Sequence, residues 1–210
     1  MQKGTVINLG QFKTIIVFLK KNWTVLSLTL FFLIGLTLGS VLIKSNDSFF
    51  KIALNYSDNF LDVRYNESFM KIFFDSFVLS VAFNLAVIIF GTSVIGITIV
   101  PLIISFRGFY FGTLTGVIYS NMALNGIIIN ALVIIPSAVI SVVFLIISGR
   151  EAMRFSSMII NITLPNSQPK NLSPAFSSFI KKSLLTVLPI IFSSLLEAWL
   201  SQKTMTFFDL

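Results

Sequence analysis

The chain has 210 residues, 55% of them hydrophobic and 11% charged, and its mean hydropathy of +0.93 lies far above that of a water-soluble fold. Cysteine and histidine are both absent, which removes disulfides, thiolate nucleophiles, imidazole acid–base chemistry and nearly all zinc, haem or copper ligation. The net charge of +7 comes from lysines and arginines flanking apolar runs, so membrane lipid rather than nucleic acid is the expected partner.

Charges are spaced so that Lys21 to Lys44, Asp75 to Arg107, Arg107 to Arg150 and Lys182 to Glu197 enclose stretches without an ionised side chain. Such stretches read as membrane spans of an all-α, polytopic integral membrane protein forming a single membrane domain over 1–210. Residues 1–21 carry Lys3, Lys13, Lys20 and Lys21 without an acid, and Phe12, Ile15, Ile16 and Leu19 share one helical face. An interfacial amphipathic helix on the cytoplasmic side is predicted there. The apolar run that follows is a full span, about 23–43, and no small-residue cleavage pattern succeeds it, so it is expected to stay uncleaved.

Residues 45–75 are polar and slightly acidic, which suits the extracytoplasmic face. Phe49, Phe50, Phe60, Leu61, Phe69 and Met70 within them predict a short amphipathic helix lying on the outer leaflet. From Ser76 to Gly149 the only charge is Arg107, leaving room for three spans at about 20 residues each, over 72–92, 95–120 and 125–149. Turns are expected at Gly91-Thr92-Ser93 and around 121–126.

Arg150, Arg154, Lys170, Lys181 and Lys182 against Glu151 alone, with Pro165, Pro169 and Pro174, mark 150–182 as a cytoplasmic loop. A last span over 183–200 completes the prediction. Both basic segments must lie on one side, which four intervening spans satisfy. The expected topology is about five transmembrane helices, N-terminus cytoplasmic and C-terminus extracytoplasmic.

Gly108, Gly112 and Gly116 recur every four residues, and Gly35 and Gly39 repeat the spacing in the first span. Ridges of this kind let helix backbones approach closely, either inside the protein or for self-association. Arg107, at the head of the ridge, and Glu197, toward the outer end of the last span, bear the membrane cost of ionised groups, about 2.5–3.5 kcal/mol at a span centre. Their different depths argue against a direct pair. Pro101 and Pro136 each remove a backbone hydrogen bond and bend the chain, and Ser137 and Ser141 follow at small-residue spacing; such kinks are tolerated where neighbours or Ser/Thr side chains satisfy the freed carbonyls. No phosphate loop, nucleophile elbow or paired intramembrane carboxylates are present, so no catalytic residue, metal or cofactor is assigned and an enzyme is not expected.

Two stretches carry a resemblance. Phe90-Gly91-Thr92-Ser93-Val94-Ile95-Gly96 and Phe106-Arg107-Gly108-Phe109-Tyr110-Phe111-Gly112 resemble the stage II sporulation protein M family, which has a Gly-x-Ser-x-x-Gly turn followed by a basic residue or Asn before Gly-x-x-x-Gly. Supporting matches are Ile135-Pro136, Gly149, Phe155-Ser156 and Glu197-Ala198. The family often places a proline just after the second glycine of the turn, where this chain has Ile97-Thr98 and, further on, Pro101.

The resemblance implies a role in endospore formation, in the septal or engulfing membrane. It implies a scaffold that recruits and holds two peptidoglycan-degrading partners, the stage II sporulation proteins D and P. Gly91, Ser93, Gly96, Arg107, Gly108, Gly112, Gly116, Pro136, Gly149 and Glu197 are the candidate structural and interaction residues. A transporter or permease-like subunit is the alternative, and it predicts a solvent-reachable cavity near Arg107.

Overall fold

The computed structural model describes residues 22–163 and 172–207. The amphipathic helix expected over 1–21 lies outside them, as do Pro165, Pro169 and Lys170. Among the described residues every regular element is helical: α1 (Trp23–Ser45), α2 (Asp47–Asn66), α3 (Phe69–Gly91), α4 (Gly96–Ile129), a π-helical turn (Asn130–Ile134), α5 (Ile135–Thr163), α6 (Leu172–Leu185) and α7 (Val187–Phe207). Among the described residues four helical stretches are long and apolar enough to cross a membrane.

The third of these, Gly96–Thr163, has 68 residues and would measure about 100 Å if straight, over three times the hydrocarbon thickness of about 30 Å. It is not straight. At Ala123 the backbone takes φ 47° and ψ −120°, and the chain doubles back. A Cβ on Gly126 would sit 2.5 Å from the Ile118 carbonyl oxygen, and one on Gly149 would sit 2.7 Å from Ile104 Cδ1. Two antiparallel crossings therefore share this stretch. The protein is an all-α, polytopic membrane protein.

The π-helical turn has an identifiable cause. Pro136 brings no N–H to the ladder, so the register widens and Ile135 N–H bonds to the Asn130 carbonyl, five residues back. Ser137 Oγ donates to the carbonyls of Ile134 (3.0 Å) and Val133 (3.3 Å), next to the widened register.

Several expected boundaries move. The helix expected to end at Gly149 continues to Thr163, because Ala152, Phe155 and Ser156 keep one face buried past Arg150 and Glu151. The expected loop over 150–182 contains α6, whose Phe179 is buried and stacks on Phe155 at 5.1 Å. The last span begins at Val187 rather than 183, since the Pro189 ring excludes the helical carbonyl of Leu185 and the chain breaks at Thr186. In the outer segment, α2 is a 20-residue helix started by Asn46, whose Oδ1 accepts from the N–H groups of Ser48 and Phe49.

Lipid tails are as apolar as leucine, so burial alone does not hold these helices together; close packing and buried polar contacts do. Helices α1 and α4 meet through their two glycine ridges. A Cβ on Gly35 would lie 1.9 Å from the Ser105 oxygen, on Gly108 2.1 Å from the Phe32 oxygen, and on Gly112 2.0 Å from the Leu36 oxygen. Ser40 Oγ donates across this seam to the Gly112 carbonyl at 3.1 Å. A buried polar chain joins α3, α5 and the break between α6 and α7: Ser148 Oγ donates to Asn84 Oδ1 (2.8 Å), and Asn84 Nδ2 donates to Thr186 Oγ1 (2.9 Å).

Candidate functional site

The predicted site residues fall into three groups. Gly91, Ser93 and Gly96 build the α3–α4 turn, which Ser156 of α5 fastens by donating to the carbonyls of Ser93 (2.7 Å) and Val94 (3.2 Å). Gly91 lies against Ala152, and Gly149 against Ile104 and Leu28, so these glycines admit neighbouring helices. Gly108 and Gly112 face Phe32 and Leu36 of α1, while Gly116 leaves ordinary contact distance to Ile43. The ridges thus serve packing within the chain. Pro136 sets the π-helical turn.

Arg107 and Glu197 come together elsewhere, in a cavity of about 480 Å³ walled by α2, α3, α4, the π-helical turn, α5 and α7. Helix α2 closes one side. Its residues Ala53, Ser57, Leu61 and Arg64 are buried at spacings of four, four and three, one face of a helix. Ala53 packs with Ile43 and Val117, and Leu61 with Leu114 and Ile118. The helix is thereby held against the end of α1 and the stretch of α4 just before its reversal.

Arg64 fixes α2 to the bundle. Its Nη1 donates to the Phe60 carbonyl at 3.1 Å, its Nη2 donates to Ser76 Oγ at 3.3 Å, and it forms a salt bridge with Glu197 of α7. The side chains are 4% and 14% exposed, so this pair is shielded from the screening that weakens surface ion pairs. Glu197 therefore pairs with Arg64 and not with Arg107. Arg64 was missed in the sequence, where it counted only toward the charge balance of a polar segment. The inward face Ala53-Ser57-Leu61-Arg64 was the available signal.

Arg107 is 4% exposed and forms no ion pair among the described residues. Its Nη2 donates to Ser80 Oγ at 3.0 Å, and its guanidinium carbon lies 4.6 Å from the Phe111 ring centroid, 4.9 Å from Phe83 and 5.5 Å from Tyr110. Desolvating a cation costs several kcal/mol. An aromatic contact returns about 2 kcal/mol when desolvated, and a charged hydrogen bond about 1.5–3. The aromatic cage thus offsets much of the cost. Among the described residues, Nη1 of Arg107 and Nε of Arg64 are buried with no hydrogen-bond partner.

Two buried arginines accordingly face one partly buried carboxylate. Asp75, also on the wall, is 45% exposed at the rim and pairs outward with Lys71 at 3.6 Å. Tyr56, Phe74 and Val78 are more than half exposed there, so the mouth opens beside a lipid-facing flank of α3.

A bundle of apolar crossings around an arginine-lined cavity, closed on one side by a helix from the polar segment, defines a multi-pass α-helical membrane protein. The family described as Stage II sporulation protein M matches residues 28–202, and the chain belongs to it. It is a sporulation-associated membrane protein. No curated protein and no solved structure matches the chain.

Proposed function

We propose that the protein is a non-enzymatic membrane scaffold that holds extracytoplasmic, peptidoglycan-degrading partners in the septal or engulfing membrane of a sporulating cell. The observation that carries this reading is the mounting of α2. One face is clamped to the bundle through Leu61 and the Arg64–Glu197 pair, while Lys51, Asn55, Asp58 and Asp62 stand exposed on the other. A rigid helix with a charged outer face suits a docking platform, since a presenting element that is already ordered loses little entropy on binding. Family membership supports the sporulation setting, and the stage II sporulation proteins D and P are the partners the reading names.

The test is co-purification from sporulating cells. Asp58→Lys with Asp62→Lys reverses the outer face and leaves the buried face intact. Hydrolases captured by the wild type and lost from this variant, at equal membrane levels, support the scaffold. Equal capture by both removes α2 as the platform, and no capture by either removes the scaffold.

A second reading, a permease-like subunit, is favoured by the cavity at Arg107. It requires a solute to change its distribution across reconstituted vesicles in an Arg107-dependent way.

A further inference from the structure

The inner end of the Arg107 cavity sets two guanidiniums, Arg64 and Arg107, against the single carboxylate of Glu197, while the other lining carboxylate, Asp75, lies at the rim and pairs with Lys71. Nη1 of Arg107 and Nε of Arg64 are buried N–H donors without acceptors among the described residues, and both arginines line the same space. The Ser76 and Ser80 hydroxyls stand beside them, each already bonded to a guanidinium. We propose that this cavity is a binding site for a phosphate-type oxyanion, with Arg107 as its principal ligand and Arg64 as its second.

The chemistry favours phosphate. Guanidinium groups match tetrahedral oxyanions with several directed N–H donors, and a buried cation gains most from an anion that also accepts hydrogen bonds. The volume suits a small ligand or a lipid head group. Arg107 lies about 17 Å along α4 from Gly96 and about 24 Å from Ala123, deep in the span. Phe60, Val63, Leu79 and Ile134 on the wall, and Phe74 and Val78 at the mouth, give an apolar path alongside the polar end. An anionic phospholipid head group and free phosphate share this chemistry. The site requires neither docking at α2 nor transport.

The experiment uses the full chain in phosphatidylcholine nanodiscs containing a minor fraction of phosphatidylglycerol, with retained lipid counted by native mass spectrometry. In a second arm, inorganic phosphate is titrated against the detergent-solubilised protein and thermal unfolding is recorded. Wild type is expected to retain phosphatidylglycerol about tenfold more than Arg107→Gln, a difference of about 1.4 kcal/mol, with Arg107→Lys between them. Ala138→Phe fills the wall while leaving both arginines, and it is expected to match Arg107→Gln. Thermal unfolding of both variants at the wild-type temperature in phosphate-free detergent separates loss of the site from misfolding.

Phosphate that stabilises wild type but not Arg107→Gln, without enrichment of the lipid, supports the site and assigns free phosphate as its source. Retention that follows Arg150→Gln and Arg154→Gln but not Arg107→Gln or Ala138→Phe is surface lipid and overturns the proposal. So does the absence of an Arg107-dependent effect in both arms.

Discussion

Replacing Glu197 by methionine tests what holds α2 to the bundle. The substitution leaves Arg64, with its side chain 4% exposed, as an uncompensated buried cation beside Arg107, and breaking a buried pair in this way costs about 3–5 kcal/mol. Arg64→Met is expected to cost less, because Glu197 then remains in the same cavity as Arg107. Removing both charges together, Arg64→Met with Glu197→Met, is expected to recover most of the loss, since apolar replacement of a buried pair is close to neutral. Unfolding in mixed micelles gives the cycle. The local effect is read separately: the chain contains no cysteine, and Ser57 on the buried face of α2 is 1% exposed. A Ser57→Cys variant is expected to resist a membrane-impermeant thiol reagent in the wild-type background and to react in Glu197→Met. A Glu197→Met cost below about 1 kcal/mol, the range of exposed ion pairs, with the introduced thiol still protected, would refute the clamp.

Ala123 adopts φ 47° and ψ −120°, a conformation that glycine takes without a Cβ penalty, so Ala123→Gly is expected to raise stability by about 1 kcal/mol in the same unfolding assay. Gly108→Val places its Cβ about where the Phe32 carbonyl stands, 2.1 Å away. Backbone cannot yield as a side chain tip can, so a loss of at least about 3 kcal/mol, or failure to accumulate in the membrane, is expected. Gly116→Ala, with 3.5 Å of clearance, is expected to change stability by less than about 0.5 kcal/mol. Ser156→Ala removes the donor to the Ser93 and Val94 carbonyls and is expected to cost about 1–3 kcal/mol, with faster amide exchange at the α3–α4 turn.

Composition and charge spacing made the fold class legible, because a bilayer leaves a chain few ways to satisfy its backbone. The resemblance at Phe90–Gly96 and Phe106–Gly112 pointed to the family that the comparison shows. The glycine spacing announced close helix contacts without saying which helices would meet, since a Gly-x-x-x-Gly face looks the same toward a neighbour in the chain as toward a second copy. Arg107 stood out because a lone charge in an apolar stretch is costly. Arg64 did not, because in a polar segment a charge costs nothing until tertiary contacts bury it. Helix ends past Gly149 and before Val187 depended on burial and on one proline, neither of which hydropathy records.

Helix α2 has two faces with different obligations. Its inward face closes the arginine-lined cavity through Phe60, Val63 and Arg64, and its outward face carries the exposed Asp58 and Asp62. Any ligand of the cavity that binds only while α2 is in place stabilises that placement, by an amount set by its concentration relative to its dissociation constant. Linkage makes the effect reciprocal: a partner that docks on the outward face of a seated α2 tightens the cavity's hold on its ligand by the same factor. Protection of the thiol in the Ser57→Cys variant measures the seating directly. An anion that increases this protection when Arg107 is present, but not when Arg107→Gln is added, would place both faces of α2 in one equilibrium. Protection indifferent to the anion would separate them.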